Sequence, residues 1–331
     1  MPSNHLDRNQ LLELMTGFQD ACVLGAAAEL DLFTLLADSR QTAAEVARQL
    51  SADPRGVTIL LDAAAAVGLL EKQSDRYQTP PSLRPWLAAD SPTSVLPMVL
   101  HRMNMMRGWA QLASAAVSGE PVARTPSIRG ADADRAAFVA AMHTVSQPGA
   151  AELVEQLGPP RFAHLLDVGG ASGTWTLAFL QAVPGSRATI FDLPDAIEQA
   201  RARIADTALA DRITLRAGDF YTDPLPTGAD FAWVSAIAHQ HGRPENRDLF
   251  AKVHAALVPG GRIALRDVVM EPGRTQPVAG ALFAINMLVN TESGATFTFD
   301  EFVEDLQAAG FFDAAMPIRD EAMNSVIVAV K

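Results

Sequence analysis

The segment His164-Leu-Leu-Asp-Val-Gly-Gly-Ala-Ser-Gly173 constrains this chain more than any other. A hydrophobic run leads into Asp167; Gly169, Gly170 and Gly173 then form a tight turn ahead of a helix expected near Thr174. Glycine lets a ligand approach the backbone closely, and open parallel sheets bind ligands at the carboxyl ends of their strands. Three further apolar runs repeat the design. Arg187 to Asp192 ends in an acid 19 residues after Gly173, Arg212 to Asp219 leads into Gly218-Asp219-Phe220, and Ala229 to His239 closes on a histidine. Amphipathic stretches separate them, which is the signature of parallel βαβ units.

The polar groups at these ends suggest the ligand. A carboxylate at Asp192 can accept both hydroxyls of a ribose, and Asp219 with Phe220 can flank an adenine ring. A dinucleotide fingerprint reads Gly-x-Gly-x-x-Gly, with no acid required before it. Here the order is Asp-x-Gly-Gly-x-x-Gly, and Asp167 repels a pyrophosphate but stabilises a positive charge. The pattern favours a nucleoside with a cationic tail.

The other half has a different style. With 331 residues the chain has room for about two domains. Residues 10 to about 155 are almost entirely helix-like, and the change is expected at Gly158-Pro159-Pro160. Thr42 and Glu45 have capping-box spacing, a second helix follows Pro54, and Leu69 to Pro80 reads as a two-stranded wing around Ser74-Asp75. A winged helix binds DNA or serves as a packing and dimerisation module. The second helix carries one arginine, Arg55, against one acid, Asp62, where a recognition helix needs several basic and amide groups. A net charge of −12 also argues against nucleic acid and anionic membranes. The apolar stretch Ala21 to Leu36 suits a helix buried between subunits, so a homodimer is expected. The single Cys22 excludes an internal disulfide and any multi-thiolate metal site. Charges in the first twenty residues argue against a signal peptide, and the longest uncharged run, Val168 to Ser186, holds four glycines and a proline. A cytoplasmic protein with small-molecule partners, and with no nucleic acid, membrane or metal, is the expectation.

Leu166-Asp-Val-Gly-Gly-Ala-Ser-Gly, Phe191-Asp-Leu-Pro194, Gly218-Asp219-Phe220, Ala238-His239 and Leu257-Val-Pro-Gly-Gly-Arg262 resemble the S-adenosylmethionine-dependent O-methyltransferases of the plant caffeate/hydroxyindole type and their bacterial relatives. The resemblance covers nearly the whole chain. It implies an α/β fold: a doubly wound, Rossmann-like seven-stranded sheet whose antiparallel last strand, Asn324 to Val330, forms an edge. A winged-helix-like dimerisation domain over 1–100 would precede linking helices 101–157 and a core 158–331. The cofactor would be S-adenosyl-L-methionine and the product S-adenosyl-L-homocysteine. Gly169 and Gly170 would meet its methionine portion beside Asp167, Asp192 its ribose with Leu193 alongside, and Gly218, Asp219 and Phe220 its adenine. Ser235 stands where the resemblance puts a cofactor contact that is often lysine.

His239 matches the general base, and at pKa near 6.5 a histidine suits deprotonation of a phenol near 10. The resemblance puts aspartate after it, where this chain has Gln240 and His241. Asp267 matches one of two acids that orient the base; the other is replaced near Thr296 and Phe297. The acceptor pocket is expected among Met103, Met105, Met106, Trp109, Phe283 and Met287, with Met142, His143, Asn286 and Asn290 as contacts and His101 nearby. The activity implied is methyl transfer to a hydroxyl of a small aromatic or secondary-metabolite acceptor. C- or N-methyl transfer without the standard base is one alternative, and a non-catalytic cofactor-binding homodimer another.

Overall fold

The computed structural model describes residues 6–158, 161–170 and 172–331, without the side chains of 143–148. Two compact units result: one from 107 and earlier plus 124–144, the other from 108–123 plus 145–331. Pro159 and Pro160, at the expected break, lie outside the described residues.

In the first unit Thr42 accepts from the Glu45 amide while the Glu45 carboxylate accepts from the Thr42 amide, which starts the helix Ala43–Leu50. Asp53 caps the helix Pro54–Ala66, where a first-turn proline sacrifices no bond. The wing is real: Glu71–Gln73 and Arg76–Gln78 pair antiparallel, and Gln41–Thr42 adds a third strand beside Arg76–Gln78. One expectation needs correction. Ala27, Ala28, Leu32, Phe33 and Leu36, placed between subunits by the sequence reading, are buried inside this unit against Val46, Leu61 and Tyr77. A run of exposed apolar side chains lies upstream, at Leu11, Leu12, Leu14, Met15 and Phe18. The stretch Arg8–Glu29 that carries them is long and apolar enough to cross a membrane by length and composition alone.

The second unit holds a seven-stranded sheet. Its strands are β1 (His164–Val168), β2 (Arg187–Asp192), β3 (Ile213–Ala217), β4 (Ala229–Ser235), β5 (Leu257–Asp267), β6 (Phe312–Ile318) and β7 (Ser325–Val330). The order is β6-β7-β5-β4-β1-β2-β3, parallel except that β7 runs antiparallel to both β5 and β6. The final strand is therefore not the edge. Phe312–Ile318 takes that place, leaving Val326, Ile327 and Ala329 of β7 fully buried.

Helices that accompany the sheet include α1 (Thr174–Ala182), α2 (Pro194–Ile204), α3 (Arg243–Ala256), α4 (Val278–Asn290) and α5 (Phe299–Ala308), and the end of Ala131–Leu157 packs on it through Leu153 and Val154. A parallel sheet buries both faces, so its strands run apolar almost throughout. Leu166, Val234, Leu265 and Ile327 pack with Leu249, Phe250 and Val253 of α3 and Phe302 and Leu306 of α5. Leu165, Phe231, Trp233 and Ala264 pack on the other side with Trp175, Ala178 and Phe179 of α1. The alternation divides the polar residues at the carboxyl edge. Asp167, Ser235 and Arg266 share the α1 side; Asp267 lies on the α3 and α5 side.

Candidate active site

At the end of β1 the chain turns where a side chain has no room. Gly169 adopts φ +68°, and a Cβ there would lie 2.2 Å from the Ile237 side chain. At Gly170 it would lie 2.7 Å from the Asp167 carboxyl carbon. The Asp167 carboxyl is buried and accepts from the Thr176 hydroxyl at 2.6 Å. Burial pushes its pKa up to about 7, the neighbouring Asp192 adding to the rise and Thr176 opposing it. Asp192 closes β2 and accepts from the amide of Leu193, whose side chain is exposed.

Gly218, one residue past β3, would drive a Cβ to 2.5 Å from the Phe191 ring. Asp219 accepts from the Tyr221 amide at 2.8 Å, and Asp223 accepts from the Asp219 amide at 2.8 Å. One Asp219 oxygen therefore shapes the turn that presents Phe220. The Lys252 ammonium secures the same turn through the carbonyls of Phe220 and Tyr221, at 2.6 and 2.7 Å.

The end of β4 builds the second half of the site. Ala236 takes φ +58°, rare for a residue with a side chain, and a single 3-10 turn over Ala238–Gln240 follows. Asn246 of α3 fixes that turn by donating to the Ala238 carbonyl at 2.9 Å. His239 within it is buried, 6% exposed. Its Nδ1 lies 2.8 Å from one oxygen of Asp267, and its amide donates to the other at 3.2 Å. Val268 donates a further amide to the same carboxylate at 2.8 Å. A carboxylate on Nδ1 holds the ring proton there and leaves Nε2 as the acceptor. Phe283 of α4 meets the imidazole edge-on, its centroid 4.7 Å away. Of the two candidate supports for the histidine, Asp267 is bonded to it; Gln240 is exposed and donates to the Ala236 carbonyl instead. Thr296 and Phe297 are buried, and the Ala295 amide donates to the His239 carbonyl at 2.9 Å.

Asn286 and Asn290 follow Phe283 by three and seven residues, which puts all three on one side of α4. Trp109 donates to the Asn286 side chain at 3.3 Å, and Asn290 donates to the Asn286 carbonyl at 2.8 Å. Met142 is partly exposed in the other unit, and the His143 side chain lies outside the described residues. His101, also in that unit, packs edge-on against Phe138. Burial, with Arg102 and Arg124 nearby, pushes its pKa down to about 4. Two further residues emerge only in three dimensions. The Tyr221 hydroxyl is hydrogen bonded to Nε2 of buried His241, tying the turn after β3 to the turn that carries His239. Arg266 donates to the Ser235 hydroxyl at 3.1 Å. The tyrosine beside Phe220 was the one signal the sequence held for the first pair.

A glycine turn and strand-end acids on a sheet of this order define a Rossmann-like methyltransferase domain. The O-methyltransferase domain model matches residues 123–312 and the O-methyltransferase dimerisation domain model residues 12–82. This chain belongs to the O-methyltransferase family. It is 33% identical over 311 residues to the tetracenomycin polyketide synthesis 8-O-methyl transferase of Streptomyces glaucescens, covering 92% of this chain and 91% of that one. It is 31% identical over 333 residues to the N,N-dimethyltransferase OxyT of Streptomyces rimosus, covering 97% and 96%. Human N-acetylserotonin methyltransferase, solved in complex with S-adenosylmethionine, superposes with a TM-score of 0.81 at 26% identity, covering 100% of this chain and 99% of that one. The stretch Arg8–Glu29 thus overlaps the start of the dimerisation match.

Proposed function

We propose that the chain transfers the methyl group of S-adenosylmethionine to a hydroxyl of a small aromatic acceptor, with His239 as general base. The observation that carries this reading is the buried Asp267–His239 pair, whose geometry leaves Nε2 as a proton acceptor. The cradles at Gly169, Gly170 and Gly218, which a Cβ would fill, fit a ligand seated on backbone. Asp192 would hold the ribose hydroxyls, Gly218, Asp219 and Phe220 the adenine, and Asp167 the cationic end. When bound, the cofactor supplies an electrophilic methyl group.

The chain's own residues would do the rest. Nε2 takes the proton that the acceptor hydroxyl gives up, so the oxygen is electron-rich when it meets the methyl group. The Asp267 carboxylate stabilises the imidazolium so formed and fixes the ring plane. Phe283, with Asn286 and Asn290 on the same side of α4, would orient a flat acceptor through one aromatic face and two amides. The exposed apolar residues near the N-terminus, together with the dimerisation match, support a homodimer.

Calorimetric titration with S-adenosylmethionine and S-adenosylhomocysteine tests the cofactor. Both should bind the native protein, and Asp192→Ala should weaken both at least tenfold. A native protein that binds neither ends this reading. With a phenolic acceptor found by screening, His239→Ala should lower kcat by roughly 10² to 10⁴. The 31% identity to an N,N-dimethyltransferase favours amine methylation as the second reading. In that case an amine acceptor is turned over and phenols are not.

A further inference from the structure

Arg266 is the one fully buried cation among the described residues, 4% exposed. Its contacts are all neutral. Nε and Nη2 donate to the Asn324 side-chain oxygen at 2.9 and 2.7 Å, and Nη1 donates to the Ser235 hydroxyl at 3.1 Å. The guanidinium lies over the Trp175 ring, 4.6 Å from its centroid. No carboxylate among the described residues comes within ion-pair distance of it. Burying an unneutralised charge is expensive, and such charges are ordinarily paired. The nearest acids are otherwise engaged. Asp267 holds His239 and the Val268 amide, and Asp320 accepts from the amides of Ala322 and Asn324. Burial pushes the Arg266 pKa down to about 10, with those two acids opposing the fall, so the charge persists at neutral pH.

Its position says which anion would suit it. Arg266 and Ser235 are register partners at the carboxyl ends of β5 and β4. Trp175 is the second residue of α1, whose N-cap Gly173 offers no side-chain cap, so the helix N-terminus adds its own attraction for an anion. Asp167 stands on the same side of the sheet, two strands away, about 10 Å at the usual strand spacing. A buried cation on β5 and an acid on β1 thus share one side of the sheet at its carboxyl edge. That pairing matches an α-amino acid, which presents a carboxylate and an ammonium from one carbon.

We propose that Arg266 receives the carboxylate of the amino-acid end of the cofactor, with Ser235 and Trp175 aiming its guanidinium. The inference rests on S-adenosylmethionine being the cofactor and adds a specificity residue to that reading. Ser235 then contributes by orienting a cation that another strand supplies.

The test is a ligand deletion read by calorimetry, which needs no acceptor. S-adenosylhomocysteine is compared with 5′-deoxy-5′-(3-aminopropylthio)adenosine, the same molecule without its carboxylate. The native protein should prefer the former at least thirtyfold. Arg266→Met should weaken S-adenosylhomocysteine at least tenfold and leave the decarboxylated ligand within twofold. Should that variant not fold, Arg266→Lys keeps the charge but loses the fork, and the preference should shrink three- to tenfold. Equal loss of both ligands would make Arg266 a structural tie to Asn324 and overturn the proposal. So would a native preference retained in the lysine variant, or a native protein that binds both ligands alike. A native protein that binds neither removes the cofactor reading itself.

Discussion

At the scale of single residues the proposed chemistry turns on two carboxyls, both near strand ends. Asp267 has all its neighbours donating to it, so Asp267→Asn should lower kcat for a phenolic acceptor roughly 10- to 100-fold while leaving the cofactor Kd within twofold. The carboxamide can present an N–H to Nδ1, which flips the tautomer and removes the acceptor at Nε2. Asp167 behaves differently because its folded pKa, about 7, lies above the ordinary 3.8. Between those values the folded chain holds a proton that the unfolded chain has released. Stability therefore falls as pH rises through that window and is level beyond it. Asp167→Asn should stabilise the ligand-free protein at pH 8 and change it little at pH 4, by urea unfolding, while weakening cofactor binding. Equal effects at both pH values would contradict the assignment. His239 was legible in the sequence because it closes an apolar run, and Asp267 through the family resemblance. The Tyr221–His241 and Ser235–Arg266 pairs were not, since they join positions 20 and 31 residues apart, the first between two turns and the second through strand register.

Among the elements, the turn over Ala238–Gln240 is the one the site cannot lose. It is held from below by Asn246, from the side by Asp267, and from above by the loop after α4. Gly294 in that loop is packed so closely that a Cβ would lie 2.7 Å from the His239 carbonyl and 2.4 Å from the Thr291 hydroxyl. Gly294→Ala should displace the histidine and reduce kcat at least tenfold, since small misplacements of a reacting group carry large penalties. Cofactor affinity, set by groups outside the contacts of Gly294, should stay within twofold by calorimetry. A variant that loses both together would show the two halves of the site to be one unit. The strands of this sheet could be read from apolar runs and terminal acids. The position of Phe312–Ile318 outside the last strand could not, because Asp313 and Pro317 interrupt its pattern and edge strands carry a weak apolar signal.

For the whole molecule, the N-terminal helix Arg8–Thr16 buries none of its residues within the chain. Leu11, Leu12, Leu14 and Met15 are all more than half exposed, and a continuous apolar surface of this kind marks a contact with something else. The sequence reading expected subunit burial further along, at Ala21 to Leu36, because composition alone cannot tell a helix buried in its own unit from one buried in a partner. With a dimerisation match beginning at residue 12, a second copy of the chain is the occupant that fits. Leu11→Glu with Leu14→Glu should convert a species of twice 35.3 kDa into a monomer, read by light scattering at micromolar concentration. Two buried leucines supply roughly 3 to 6 kcal/mol per subunit, enough to shift a dimer constant by more than a hundredfold when replaced by charges. The same helix could instead meet lipid, so native protein is also floated with phosphatidylglycerol vesicles. Flotation of native protein that is already monomeric would assign the apolar residues to a membrane surface; a dimer that stays with the soluble fraction assigns them to the partner subunit.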